Sequence, residues 1–129
     1  MPIEASTVIE GGKARRLRLG MVGGGEGAFI GAVHRLAARM DDHFECVAGA
    51  LSADADKALR SAAALGLDPA RSYSSFTEMA RLEAARSDGI DVVAIVTPNH
   101  LHVPVAEAFL LAGIHVICDK PLSLLPSEK

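Results

Sequence analysis

The stretch "RLRLGMVGGGEGAFIGAVHRLAARM" (16–40) constrains the fold of this chain more than any other. Residues 16–22 read as a strand, and "GGGEGAF" (23–29) reads as a glycine-rich turn. "IGAVHRLAARM" (30–40) then places Val33, Leu36, Ala37 and Met40 at helical spacing. A strand that passes through glycines straight into a helix points to a crossover unit, in which the helix folds back to cover a sheet face.

The unit recurs in kind. "ECVAGAL" (45–51) is a second strand; Ser52 or Asp54 can cap the alanine-rich helix after it, and Gly66 ends that helix. The segment 71–74 is expected as a short third strand. Ser75 with Glu78 forms a capping-box pattern ahead of a helix reaching about Ala85. "DVVAIV" (91–96) is apolar and β-branched, as a strand buried on both faces requires. After "TPNH", a helix "VPVAEAFLLA" carries proline near its first turn and stops at Gly113, and "HVIC" (115–118) is the fifth strand. The alternation predicts an α/β fold, a doubly wound parallel sheet of about five strands. In the order 3-2-1-4-5 its ligand site lies above the carboxyl ends of the first and fourth strands.

A chain of 129 residues, half of them apolar, suffices for one domain with a buried core, expected over 16–129 behind a flexible leader, 1–15. The basic cluster Lys13, Arg15, Arg16 and Arg18 is read as part of that solvated leader. A net charge of −3 without long single-sign blocks gives no reason to expect nucleic acid or an anionic membrane as partner. No run approaches the ~18 apolar residues of a membrane span, and the first residues lack a signal peptide's apolar centre, so a cytoplasmic protein is expected. Cys46 and Cys118 fall on strands separated by two others, which keeps them apart as buried thiols.

The glycine turn carries the first chemical expectation. Backbone amides that approach a pyrophosphate must not be screened by side chains, and the following helix amino terminus adds a favourable dipole. Gly23 and Gly25 supply the turn and the approach, while the glycine that lets the helix pack close is either replaced by Ala28 at strict spacing or supplied by Gly31 after a three-residue expansion. The acid that bonds ribose hydroxyls about 20 residues on is missing, since Leu51 and Ser52 occupy that place. Its absence permits a 2′-phosphate, so NAD or NADP is expected with a slight lean to NADP. At the other strand tip, Thr97-Pro98-Asn99 sets a turn with hydrogen-bonding groups over the same site. His100 and His102 without a third ligand make a poor metal site, and His34 and His115 are read as structural.

"LGMVGGG…IGAVH" and "VVAIVTPNHLHVPVAEAFLLAGIHVICDKPL" together resemble the amino-terminal domain of the Gfo/Idh/MocA oxidoreductases, the glucose–fructose oxidoreductase and inositol dehydrogenase family, over about 16–125. The resemblance implies a Rossmann domain in which the amides of Phe29 and Ile30 face the pyrophosphate. It places Thr97, Pro98 and Asn99 along the nicotinamide ribose, followed by His102. The family's Glu-Lys-Pro falls on Asp119, Lys120 and Pro121, with Asp in place of the commoner Glu. It makes Lys120 the catalytic group, a desolvated ammonium that bonds a developing alkoxide. It further implies a second, strand-rich domain carrying most of a pocket for a sugar, polyol or related secondary alcohol, so that this chain binds cofactor without turnover. A homo-oligomer is expected, with the "HVIC" edge left open to self-association. A stand-alone regulatory nucleotide-binding module is the alternative, which Lys120 disfavours. A methyltransferase is disfavoured by the missing acid and by both terminal motifs.

Overall fold

The computed structural model describes residues 7–10, 13–25, 27 and 29–123. Strand β1 (Thr7–Glu10) pairs antiparallel with the start of β2 (Lys13–Gly23). Helix α1 (Phe29–Arg39), strand β3 (Phe44–Ala50) and helix α2 (Ala55–Ala64) follow. Then come a 3-10 turn (Pro69–Arg71), helix α3 (Phe76–Ala85) and strand β4 (Val92–Val96). A second 3-10 turn (Asn99–Leu101), helix α4 (His102–Leu111) and strand β5 (His115–Cys118) complete the series.

The parallel part of the sheet runs β3-β2-β4-β5. The expected third strand is reduced to one parallel bridge, Gly49 to Ser72, beside β3. Its first residue, Arg71, closes a 3-10 turn instead, in which the Asp68 carboxylate accepts from the Ala70 amide and Pro69 sets the first turn. With that bridge counted, the expected order holds. The leader expected over 1–15 is corrected in part: 7–10 and 13–15 are strand. Val8 and Ile9 favour extended backbone and pair with Arg15 and Ala14. Nor is the basic cluster merely solvated. Arg15 donates to both carboxylate oxygens of Asp91, at 2.8 and 3.0 Å, and Arg16 pairs with Asp42.

The core has two layers because β4 is central. Val92, Ala94 and Val96 pack with Leu19, Met21 and Ala62 on the α1/α2 face. Val93 and Ile95 pack with Met79, Val105 and Phe109 on the α3/α4 face. At about 25 cal/mol per Å² of apolar area, such two-sided burial is what holds a parallel strand in place. Caps fix where the helices start. Asp54 accepts from the amides of Asp56 and Lys57, and Ser75 accepts from that of Glu78. Under α3 lies a buried polar cluster. Glu83 takes both Arg71 donors, the Tyr73 hydroxyl at 2.6 Å and the Ile90 amide at 3.2 Å. Cys46 and Cys118 are free, half-buried thiols on β3 and β5, and burial raises the pKa of both.

Candidate active site

Parallel register brings three strand ends to one edge. Gly23 of β2 stands beside Val96 of β4, and Ile95 beside Cys118 of β5, so the glycine turn, Thr97 and Asp119 leave the sheet side by side. Between the first two of these turns and the end of β3 opens a cleft of about 660 Å³. Five of the anticipated residues, Gly23, Gly25, Ser52, Thr97 and Pro98, line it.

The glycine turn is shaped by close approach. At Gly25 a side chain would meet the Leu51 carbonyl oxygen at 2.7 Å, so the loop lies against the end of β3 as only glycine permits. Gly31 settles the packing glycine. A Cβ there would stand 2.5 Å from the Gly24 Cα and 2.9 Å from its oxygen, so α1 rides directly on the turn. Gly24 itself has φ near 73°, in the left-handed region. Ala28, the other candidate, lies outside the described residues. Phe29 and Ile30 open α1, whose first amides lack intrahelical acceptors and are available to an anion.

Two residues that sequence reasoning passed over complete this end. Arg35, one turn beyond Gly31, donates to the Gly24 carbonyl at 2.8 Å and fixes the turn from behind. Lys57, in the first turn of α2, lines the cleft with Ser52. Its signal was positional only: a cation five residues past the expected ribose position, where the helix curls back over the site. Asp54 serves as the helix cap, and its amide donates to the Ser52 hydroxyl at 3.1 Å.

The other anticipated residues gather at the β4 and β5 ends without lining the cleft. Asn99 is exposed in the 3-10 turn, and Lys120 is exposed one residue past the half-buried Asp119. The Asp119 amide reaches the Ile95 carbonyl at 3.5 Å, which keeps the Lys120 turn beside the Thr97 turn, about one strand spacing of 4.8 Å away. His102, expected along the cofactor, is instead buried, at 1% exposure. Its Nδ1 donates to the Pro121 carbonyl at 2.6 Å, and its Nε2 stands 3.3 Å from that of Thr97. Position along the chain gave proximity to the site but not the direction of the ring. His34, read as structural, points its Nε2 at the Asp119 carboxylate, 2.8 Å away. His100 and His115 are exposed, and no cluster of three metal-ligating side chains occurs among the described residues.

A glycine cradle that a Cβ would fill, under a helix amino terminus at the switch point of a doubly wound sheet, defines a dinucleotide-binding domain. Residues 17–129 match the profile of the oxidoreductase family with an NAD-binding Rossmann fold, Gfo/Idh/MocA, and the chain belongs to that family. It is 42% identical over 116 residues to the oxidoreductase YfiI of Bacillus subtilis, covering 89% of this chain and 30% of that protein. Against levoglucosan dehydrogenase of Pseudarthrobacter phenanthrenivorans the identity is 36% over 119 residues, covering 88% and 28%. Among solved structures, an oxidoreductase from Sinorhizobium meliloti is 60% identical with a TM-score of 0.83, covering 88% of this chain and 31% of that one. An inositol dehydrogenase homologue from Azotobacter vinelandii, solved with NAD+, is 41% identical with a TM-score of 0.86, covering 88% and 29%. The chain thus spans about 30% of the length of these relatives.

Proposed function

We propose that residues 16–129 form the nucleotide-binding domain of an NAD(P)-dependent oxidoreductase that moves hydride between a nicotinamide cofactor and a secondary alcohol of a sugar, polyol or related compound. The observation that carries this reading is Lys120 at the tip of β5, on the same sheet edge as the glycine turn and Thr97. A module that only bound nucleotide would have no use for an ammonium at that point.

Bound in the cleft, the nicotinamide cofactor would supply a hydride acceptor or donor, and the protein's task is to hold it and to stabilise charge on the substrate oxygen. The amides of the Gly23–Gly25 turn and of Phe29 and Ile30 hold the pyrophosphate. Thr97, Pro98 and Asn99 bound the nicotinamide ribose, with Asp119 beside them. Lys120 donates a hydrogen bond to the substrate oxygen and stabilises the negative charge it carries as the alkoxide, the form from which hydride departs and the form produced when a carbonyl accepts hydride. At the adenosine end Ser52 offers a hydroxyl in place of a carboxylate, and Lys57 adds a positive charge. Both favour acceptance of a 2′-phosphate, so NADP is the better ligand of the two. An inositol dehydrogenase homologue from Azotobacter vinelandii in complex with NADH and myo-inositol, and the likeness to levoglucosan dehydrogenase, support the polyol and sugar class.

Lys120→Met in the full-length enzyme tests the reading. The cofactor affinity is expected to stay within about threefold while kcat falls at least ~100-fold. A variant that turns over polyols at the wild-type rate contradicts the assignment.

A further inference from the structure

Lys120 is flanked on both sides by residues that histidines hold. His34, from α1 on one face of the sheet, places Nε2 2.8 Å from the carboxylate of Asp119, the residue before the lysine. His102, at the start of α4 on the other face, places Nδ1 2.6 Å from the carbonyl of Pro121, the residue after it. The second ring nitrogen of His102 stands against the carbonyl of Thr97, so one imidazole spans the β4 turn and the β5 turn.

We propose that His34 and His102 are positioning residues for Lys120, holding the backbone on either side of it so that its ammonium is presented at the nicotinamide end of the cleft. The inference rests on the role given to Lys120 above. Two features of the geometry favour positioning over ordinary core filling. His102 is wholly buried yet directs its ring to the carbonyls of two functional turns, where an apolar side chain would fill the same space without exacting hydrogen-bond geometry. His34, half-exposed on its helix, could be satisfied by water, but meets a carboxylate adjacent in sequence to the lysine. Among the described residues, the Asp119 amide makes one long contact, to Ile95, and the four-residue strand pairs with β4 alone. A loosely paired edge turn would let a long lysine side chain wander by more than the ångström that separates productive from idle geometry.

The test pairs apolar with amide replacements. The Asn amide nitrogen reproduces the position of His Nδ1, and the Gln amide nitrogen that of Nε2. Backbone hydrogen exchange is followed in the 129-residue chain at Asp119, with Val93 and Ile95 of β4 as reporters of global opening. His102→Leu and His34→Leu are each expected to speed exchange at Asp119, whose amide faces the Ile95 carbonyl, about tenfold relative to the β4 amides, the loss of one hydrogen bond. His102→Asn and His34→Gln are expected to return it to within about threefold. In the full-length enzyme His34→Leu lowers kcat about tenfold with the cofactor KM unchanged, and His34→Gln recovers most of it. Uniform acceleration across β4 and β5, no acceleration, or failure of both amide variants to rescue would overturn the proposal. If His102→Leu does not fold, the His34 pair decides alone. A Lys120→Met enzyme that remains active removes the reading on which this inference stands. An inactive Lys120→Met beside a fully active His34→Leu removes this inference only.

Discussion

Gly31→Ala probes the contact on which the cofactor cradle depends. The added Cβ would stand 2.5 Å from the Gly24 Cα and 2.9 Å from the Gly24 oxygen. Ordinary carbon contacts need about 3.5 Å, so α1 and the turn must separate by about 1 Å. Neither partner is the end of a flexible side chain, and the Gly24 carbonyl is held in addition by Arg35. Overpacking of this kind costs about 1–3 kcal/mol, and a backbone clash belongs at the upper end. Alanine recovers about 1 kcal/mol of helix propensity, which leaves a net loss of about 2 kcal/mol. For a domain of this size that lowers the melting temperature by about 8 °C. The same displacement moves the amides of the turn, so the variant should bind NADPH or NADH at least ~10-fold more weakly, about 1.4 kcal/mol. Thermal melts of the free chain and a fluorescence titration read both effects. An unchanged or raised melting temperature, with unchanged affinity, would refute the close packing of α1 on the turn.

Glu83→Ala strips the buried carboxylate from Arg71 and Tyr73 and should cost about 3–5 kcal/mol in urea unfolding, because Arg71 is left buried beside no counter-charge at that position. Asp91 gives a pH signature. Burial alone would raise its carboxyl, but the Arg15 guanidinium and the Arg18 amide outweigh that and hold its pKa below the ordinary value. A depressed carboxylate stabilises the fold above its unfolded pKa of about 3.9 and loses that contribution as pH falls through the folded value. Asp91→Asn should therefore be less stable than wild type at pH 7, with the gap closing near pH 3, and a gap independent of pH would contradict the ion pair. Ser52→Asp puts back the acid expected at the ribose and should weaken NADPH relative to NADH by about tenfold or more, measured by paired titrations.

The sheet was legible because its signals were local and mutually consistent. β4 reads as a doubly buried strand from five apolar residues, Asp54 and Ser75 as caps from residue type and spacing, and the crossover order follows from alternation. The strand expected over 71–74 shrank to one bridge at Ser72, since Asp68 and Pro69 draw Arg71 into a 3-10 turn. Strand β1 was passed over because four residues bounded by glycine and charge carry little periodicity. At the site, residue types identified the cleft's glycine, threonine and serine, since backbone geometry and strand ends are encoded in short stretches. What sequence did not reveal was direction. His34 and Asp119 are 85 residues apart, and only the assembled sheet brings the imidazole to the carboxylate. His102 has a motif position beside the cofactor, yet its ring is turned inward by α4, toward Pro121.

The most direct measurement of the dinucleotide site is a ¹⁵N-resolved titration of the chain with NADH and with NADPH. Saturable shifts are predicted at Gly23–Gly25, Ile30, Ser52 and Thr97, with smaller ones at Asn99 and Lys120 and none at the Arg71–Glu83 cluster on the far side of α3. A folded sample that shows no saturable shift with either nucleotide, or shifts confined to residues away from the β2 and β4 ends, would contradict the assignment of this cleft as the cofactor site.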